Sequence, residues 1–431
     1  MDDIAAGGSG VGRLPDGRVV FVPRTAPGDE VEVEVIASKK RWASGLPLRV
    51  LTPGPDRVAP PCGHYLRCGG CSLQHLAYAA QLRAKGRIVT EALRRIGQVE
   101  ALVEGPEPSP SQLHYRTRAT FHLRRLPADR IVAGFNEVGR PGRILDVGTG
   151  CLVLSPALAA GWTELRQAWG VGARRLPAGR ELRLTLREVE QGVVLTVAGG
   201  HGAGDAGSLV ERAPSLKAVW AVREDGGTTR LAGEARPAEA GGVGPLGPGA
   251  FTQVNPAAAR FLVDWVGECA GAAIAGVDVL DAYAGAGAFG RALKARGAHV
   301  LAIEADGHAA AAARVAGLTV LEGKVEDRLS EALPVGFAVL NPPRSGLDAG
   351  VSAQLERAGP PRMAYVSCDP ATLARDLRAL RSYAVEWVRT LDMFPQTAHV
   401  ECVVSLDRRR PTTDLPAVAP GATELPQPTG E

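Results

Sequence analysis

The chain has 431 residues, 49 Lys and Arg against 46 Asp and Glu, and a net charge of +3. Its hydrophobic content of 45% and charged content of 22% are ordinary for globular proteins, and its length allows two to four domains. The small net charge excludes a chain that is polycationic throughout, so a nucleic-acid surface would be a local patch. No run of 18 or more apolar residues occurs, and we expect no membrane span.

The N-terminal residues Met-Asp-Asp-Ile-Ala-Ala lack the basic start and apolar stretch of a signal peptide. We therefore expect a cytoplasmic protein, in which thiols stay reduced. In that compartment seven cysteines indicate metal binding or catalysis before disulfides.

Residues 1–54 contain short strand-like runs separated by Gly and Pro turns, namely Arg18–Pro23, Asp29–Ile36 and Leu46–Leu51. This spacing predicts a small OB-like barrel. The run Lys39-Lys40-Arg41-Trp42 puts cations beside an aromatic ring, which suits a nucleic-acid backbone and a stacked base. The alternative is a solvated turn between strands.

Residues 55–245 are predicted to form a mixed α+β central domain. A Pro-rich connection and a cysteine cluster come first, and a basic helical pattern at about residues 76–96 could pack on the catalytic domain. Beyond it, Pro156–Trp169 has a helical pattern. Strands are predicted at Arg118–Arg124, Arg130–Asn136, Arg143–Val147, Glu181–Glu188, Val193–Ala198 and near Ala218–Val222.

The cysteine cluster consists of Cys62, Cys68 and Cys71, and Cys151 follows far downstream. Three thiols within ten residues of a cytoplasmic chain predict a metal site. Zinc and an iron–sulfur cluster both accept four cysteines, so the spacing leaves both open.

Residues 246–408 carry a regular alternation of strands and helices from about residue 276, and the last two strands are joined by a short loop without a helix. The pattern predicts a Rossmann-like α/β domain with a seven-stranded sheet. Residues 409–431 are rich in Pro, Thr and Ala and are predicted to be disordered.

A glycine-rich turn follows the first strand of this domain, with Gly285, Gly287 and Gly290 in the spacing Gly-x-Gly-x-x-Gly. Glu304 ends the next strand, where a carboxylate can accept hydrogen bonds from ribose hydroxyls. NAD and S-adenosylmethionine both fit such a turn. Asp281, which suits a cationic methionine group, and Asn341-Pro-Pro-Arg344 after the fourth strand favour S-adenosylmethionine.

Two reactive side chains stand at strand ends. Cys368 follows the fifth strand, before a helix whose N-terminus could lower its thiol pKa. Glu401 begins a later strand. A thiol that adds to carbon 6 of uracil, followed by a base that removes the carbon-5 proton, would allow methylation of carbon 5. Cys269 and Cys402 are predicted to be buried hydrophobic residues.

Several motifs occur together in one order: Cys62-x5-Cys68-Gly-Gly-Cys71-Ser-Leu-Gln-His, Phe251-Thr-Gln-Val-Asn255, Asp281-Ala-Tyr-Ala-Gly-Ala-Gly, Tyr365-Val-Ser-Cys-Asp-Pro and His399-Val-Glu401. Jointly they resemble the RNA uracil-C5-methyltransferase family, in the branch that carries an N-terminal TRAM domain and a four-iron cluster. The first 54 residues resemble TRAM.

The resemblance implies roles for ten residues. Cys368 would be the nucleophile and Glu401 the base. Contacts to S-adenosylmethionine are implied for Gln253, Tyr283, Glu304 and Asn341, although Asn341 stands where the family often has Asp. Ligands of a [4Fe–4S] cluster are implied for Cys62, Cys68, Cys71 and Cys151, which favours the cluster over zinc.

The same resemblance implies an RNA substrate and no obligate protein partner. The favoured substrate is a uridine of 23S ribosomal RNA, flipped into the site, and the T-loop of transfer RNA is the nearest alternative. A cytosine-C5-methyltransferase would need an acid near cytosine N3 and usually a second cysteine, and neither is evident. From another class, a non-catalytic cluster-bearing RNA-binding or assembly factor is opposed by the intact Cys368 and Glu401.

Overall fold

The computed structural model describes residues 1–234 and 253–409. These residues contain β-sheets of five, seven and eight strands. The predicted disorder of residues 409–431 concerns positions that, apart from Arg409, lie outside the described residues, as do Phe251 and Thr252 of the Phe-Thr-Gln-Val-Asn motif.

The first sheet has the strand order β1-β2-β3-β5-β4. Its strands are β1 (Asp3–Ile4), β2 (Ser9–Arg13), β3 (Val19–Pro23), β4 (Glu30–Ser38) and β5 (Trp42–Thr52). Val20, Val22 and Ala43 form its small apolar core. The predicted strands correspond to β3, β4 and β5, whereas the short β1 and the glycine-containing β2 carry no apolar alternation and were not predicted.

A helix and one strand connect this sheet to the rest of the chain. They are α1 (Tyr78–Ala92), which continues into a π-helical turn at Leu93–Gly97, and β6 (Val103–Glu107). The helix therefore begins and ends within the predicted basic segment. Lys85, one of the cations of that segment, is wholly buried and forms an ion pair with Asp392.

The second sheet has the order β13-β12-β11-β10-β7-β8-β9. Its strands are β7 (Arg118–Arg125), β8 (Ile131–Glu137), β9 (Arg140–Asp146), β10 (Glu181–Val189), β11 (Gly192–Ala198), β12 (Leu216–Val222) and β13 (Thr228–Gly233). Helices α2 (Pro156–Ala168) and α3 (Ala206–Arg212) cover one face. Alternate residues of β7 point into that core, where the rings of Phe121 and Trp162 stack 3.8 Å apart.

The third sheet lies in the C-terminal region. Its helices are α4 (Pro256–Ala270), α5 (Ala288–Ala295), α6 (Gly307–Val315), α7 (Val325–Ala332), α8 (Ala349–Ala358) and α9 (Pro370–Ala379). Its strands are β14 (Asp278–Ala282), β15 (His299–Glu304), β16 (Thr319–Glu322), β17 (Phe337–Leu340), β18 (Arg362–Ser367), β19 (Tyr383–Leu391) and β20 (Glu401–Arg408).

This sheet has the order β16-β15-β14-β17-β18-β20-β19-β6. Strands β14 to β18 are mutually parallel, and β20 is antiparallel to both β18 and β19. The seven predicted strands are all present, and β6 adds an eighth, parallel to β19. Because β6 reads Val-Glu-Gly-Pro-Glu, its sequence gives no strand signal, and part of the predicted central region thus belongs to the catalytic sheet.

The parallel strands put their carboxyl ends at one edge, which is where ligands bind in open α/β sheets. Helix α1 and the π-helical turn pack on α9 at this sheet. Within the described residues no helix is both long enough and apolar enough to cross a membrane.

Candidate active site

Cys368 and Glu401 lie opposite each other on neighbouring strands. Ser367 at the end of β18 pairs with Cys402 of β20 in antiparallel register, and the same register sets Cys368 against Glu401. Residues that are directly opposite across antiparallel strands project to the same side of the sheet. Cys368 is half-buried, whereas Glu401 is only 4% exposed.

The position of Cys368 is fixed by the helix that follows it. Asp369 caps α9, because its Oδ1 accepts hydrogen bonds from the N–H groups of Ala371 (2.9 Å) and Thr372 (3.0 Å). Pro370 occupies the first turn, where its missing N–H costs nothing. The thiol therefore stands between the end of a buried strand and a capped helix.

The electrostatics of the pair are dominated by burial. Burial raises the pKa of Glu401 to about 8, although the nearby Arg344 guanidinium lowers that pKa in part. Burial, and then the charge of Glu401, raise the pKa of Cys368, and Arg344 again opposes the shift. The prediction that the helix N-terminus would lower the Cys368 pKa is wrong in its net effect, because desolvation of the thiolate outweighs it.

Arg344 is a candidate site residue that the sequence reasoning missed. Its sequence position, just after Asn-Pro-Pro, was used only as an argument for S-adenosylmethionine. In the fold the Arg344 guanidinium lies close enough to Cys368 and Glu401 to lower the pKa of both groups against the effect of burial. Its place after the fourth parallel strand is the signal that could have identified it.

A cavity of about 910 Å³ lies at the carboxyl edge of the same sheet, although neither Cys368 nor Glu401 is among its lining residues. Its volume is typical of small-molecule sites. Tyr283 and Glu304, both predicted cofactor contacts, line it together. Pro343 and Ser345 also line it, so the segment that carries Arg344 borders the cavity.

The glycine-rich turn is held in place by Glu304. The N–H of Gly285 donates to Glu304 Oε2 and the N–H of Asp306 donates to Oε1, both at 2.7 Å. Gly285 and Gly287 have φ angles of 57° and 79°, which favour glycine. A Cβ on Gly287 would lie 2.4 Å from Leu318 Cδ1, so the turn is built for glycine at that position.

Asp281 does not face the cofactor cavity. Its side chain is fully buried, and Oδ2 accepts a hydrogen bond from the N–H of Gly290 at 2.8 Å. The expectation that Asp281 would contact the methionine group is therefore replaced by a structural role, in which the carboxylate ties β14 to the start of α5.

Gln253 and Asn341 are not among the residues that line this cavity. The N–H of Asn341 donates to Ala282 O at 3.2 Å, which holds its backbone next to β14. Gln253 is half-buried immediately after the undescribed segment. Their role in binding the cofactor stays a prediction.

The four cysteines of the predicted metal site line one small cavity, although Cys151 is 80 positions from Cys71 in the sequence. They are Cys62, Cys68, Cys71 and Cys151. Burial, followed by neighbouring thiols, raises the pKa of Cys71 to about 12. Across residues 1–234 and 253–409 no three His, Cys, Asp or Glu side chains come together as a ready-made site for a metal ion. Cys269 and Cys402, by contrast, are buried in the apolar core as predicted.

Two family models match the chain. The model described as tRNA (Uracil-5-)-methyltransferase matches residues 329–409, and a TRAM domain model matches residues 2–47. The 23S rRNA (uracil(1939)-C(5))-methyltransferase RlmD of Thiobacillus denitrificans is 34% identical over 93% of this chain and 97% of its own length. The chain belongs to the RNA uracil-C5-methyltransferase family.

Further relatives agree with this membership. An uncharacterized RNA methyltransferase of Synechocystis sp. is 34% identical, covering 93% of each chain. The crystal structure of a Pyrococcus abyssi tRNA (uracil-54, C5)-methyltransferase in complex with S-adenosyl-L-homocysteine matches with a TM-score of 0.70 and 28% identity, over 92% of this chain and 100% of that chain.

Proposed function

We propose that this protein transfers a methyl group from S-adenosylmethionine to carbon 5 of a uracil in RNA, and that the RNA is 23S ribosomal RNA. The observation that carries the proposal is the placement of Cys368 opposite Glu401, at the edge of the sheet where Tyr283 and Glu304 line the cavity. The proposal includes a cytoplasmic location, where Cys368 stays reduced.

The pair meets the two demands of the reaction. Carbon 5 of uracil is a poor nucleophile, but addition of the Cys368 thiolate to carbon 6 forms an enolate whose carbon 5 can attack a methyl group. Bound S-adenosylmethionine supplies that electrophilic methyl group. Glu401 then takes the proton from carbon 5, the electron pair of that C–H bond re-forms the 5,6 double bond, and the bond between carbon 6 and sulfur breaks.

The environment of Glu401 suits a base. A carboxylate in water is too weakly basic to remove such a proton readily, whereas burial raises the pKa of Glu401 to about 8. A base whose pKa lies near the working pH is close to the optimum for proton transfer. Arg344 provides the positive charge that lets both Cys368 and Glu401 ionise when the reaction requires it.

The cofactor cavity fits S-adenosylmethionine. Glu304 lies at the end of β15 with its carboxylate at the glycine turn, which is the position that binds ribose hydroxyls in such sheets. Tyr283 lies beside it in the cavity. We propose Gln253 and Asn341 as further contacts, the amide oxygen of Asn341 accepting a hydrogen bond without the charge of Asp.

We further propose that Cys62, Cys68, Cys71 and Cys151 hold a [4Fe–4S] cluster. Four half-buried thiols around one cavity fit a cationic metal centre, which stabilises thiolates. The resemblance to the cluster-bearing branch of the family favours the iron–sulfur cluster over zinc. Anaerobically purified protein should contain about four iron atoms per chain, and one equivalent of zinc without iron would contradict the proposal.

Two RNA classes remain in competition because similar relatives act on each. The Thiobacillus enzyme named for 23S ribosomal RNA is 34% identical, and the Pyrococcus enzyme named for transfer RNA is 28% identical. We favour ribosomal RNA on this difference. The domain division that goes with the proposal is TRAM at 1–54, a central domain at 55–245 and the catalytic domain at 246–408.

The deciding experiment offers the protein a labelled methyl donor with unmodified 23S ribosomal RNA or unmodified transfer RNA. Label should enter ribosomal RNA as 5-methyluridine, and a Cys368→Ala variant should transfer none while still binding the RNA. Tight RNA binding without transfer by the unaltered protein would instead support a non-catalytic RNA-binding factor, and label confined to transfer RNA would overturn the choice of substrate.

A further inference from the structure

The loop that leads into Glu401 is held by residues from the other end of the chain. This loop, Asp392–Val400, connects β19 to β20 and is called the base loop below. Gln396 at its centre has a φ angle of 70°, a left-handed conformation that residues other than glycine adopt only when their surroundings impose it.

A pair of glutamines imposes part of this conformation. Gln81 of α1 donates from Nε2 to Gln396 Oε1 at 3.0 Å, and the N–H of Gln396 donates to Gln81 Oε1 at 3.1 Å. Gln81 is 1% exposed and Gln396 is 7% exposed. Because water does not reach these amides, loss of either partner would leave buried polar groups unsatisfied.

The cysteine segment contacts the same residue. The N–H groups of Ser72 and Leu73, directly after Cys71, both donate to Gln396 O at 2.9 Å. The N–H of Ala398 in turn donates to Ser72 Oγ at 3.0 Å. The base loop is therefore hydrogen-bonded to the segment that carries three of the four thiols.

An ion pair anchors the start of the loop. Lys85 of α1 donates to Asp392 Oδ1, and both side chains are fully buried. Lys85 also donates to Phe394 O at 3.1 Å. One turn of α1, with Gln81 and Lys85 at positions i and i+4, thus faces the base loop.

The TRAM region completes the connection. Arg24, which follows β3, donates to Cys71 O at 2.5 Å and to Cys68 O at 2.6 Å. Its guanidinium also lies 3.8 Å from the ring centre of Tyr65. Contacts thus run from the first sheet through the cysteine segment and Gln396 to the strand that begins at Glu401.

We propose that Gln81 and Gln396 are positioning residues that fix Glu401 for removal of the carbon-5 proton, and that they couple Glu401 to the cysteine segment. The inference rests on the proposed function. Cys368 follows β18, outside the base loop, so adduct formation does not depend on these glutamines. Their loss should slow the elimination step selectively.

The test uses Gln81→Met, which keeps the length of the side chain and the helix but removes both hydrogen bonds to Gln396. The full-length protein is mixed with methyl donor and 23S ribosomal RNA, and the RNA–protein covalent adduct is quantified on denaturing gels over one turnover. Adduct formation should change less than about two-fold, whereas its decay should slow about ten-fold, which corresponds to about 1.4 kcal/mol. Gln167→Met, at an exposed position of α2, is the matched control and should behave as the unaltered protein.

The outcomes separate the two proposals. If the unaltered protein forms neither adduct nor product, the proposed function fails. If it turns over normally and the adduct of Gln81→Met decays at the same rate, the positioning role is wrong while the function stands. Equal slowing of adduct formation and of adduct decay would indicate general structural damage and overturn the selective role. A loss of iron content alone would do the same. Ser72→Ala, which removes only the Ala398 contact, should give a smaller delay in the same step.

Discussion

Two carboxylates of the catalytic domain, Asp281 and Glu401, are buried in similar ways but lie in different surroundings. Burial raises the pKa of Asp281 to about 7 and that of Glu401 to about 8. Each has one oxygen, Asp281 Oδ1 or Glu401 Oε2, without a hydrogen-bond partner among the described residues. A perturbed pKa on its own would mark both as functional.

Their neighbours distinguish them. The Asp281 side chain accepts a hydrogen bond from the backbone N–H of Gly290 at 2.8 Å. Glu401 instead lies opposite a thiol and near the Arg344 guanidinium. A perturbed pKa identifies a functional site only together with a reactive partner. Changing each carboxylate to its amide is the direct way to challenge this distinction.

The largest difference in turnover is expected between the Glu401→Gln and Asp281→Asn variants. Glu401→Gln should lower turnover about 10²- to 10⁴-fold, since general bases contribute that much, and should accumulate the covalent RNA adduct. Asp281→Asn keeps an oxygen for Gly290 and should lower turnover much less, without adduct. The measurement is product formation and adduct yield with the same RNA.

A reversed pattern would break the comparison. Absence of adduct in Glu401→Gln, with Cys368 still reactive towards iodoacetamide, would remove Glu401 from the base role. Adduct accumulation in Asp281→Asn would show that a shifted glycine turn also slows the final step.

Arg344 provides a second test with a smaller expected effect, because its guanidinium places a positive charge near Glu401. Arg344→Met should raise the Cys368 pKa further, since the guanidinium opposes the effect of burial. A shift of one pKa unit would slow alkylation of Cys368 by iodoacetamide about ten-fold at neutral pH. Alkylation is followed from pH 6 to pH 10, with Arg381→Met at another exposed position as control. An unchanged pH profile would show that Arg344 does not act on the thiol.

Much of this site was accessible to sequence reasoning because its residues stand at strand ends. Cys368, Glu401, Tyr283 and Glu304 each follow or begin an apolar strand, and parallel strands bring such positions to one edge. The four cysteines were also expected together, and they line one cavity. These placements depend on local patterns and on one well-known sheet order.

Other contacts depend on distant parts of the chain and left no local signal. Gln81 and Gln396 are 315 positions apart, and nothing in either neighbourhood indicates the pairing. Lys85 appeared to be one cation of a basic helix, yet its ion pair with Asp392 is buried. Strand β6 was missed for the same reason, because its Gly and Pro conceal a strand that forms by pairing with the distant β19.

The smallest expected effect compares the two carboxylates by stability. A buried carboxyl that keeps its proton up to a raised pKa binds a proton that the unfolded chain has already released, so stability falls as pH rises between the two values. For Asp281 that window runs from its ordinary pKa of 3.8 to about 7, and for Glu401 from 4.5 to about 8.

Raising the pH from 7 to 8.5 should therefore stabilise Glu401→Gln relative to the unaltered protein, on the order of 1 kcal/mol. The same change should alter the difference for Asp281→Asn by only about a third as much, because Asp281 is already about half ionised at pH 7. Thermal melting of the three proteins at each pH measures this, and identical pH dependence for both variants would mean that the two carboxylates are not distinguished by their surroundings.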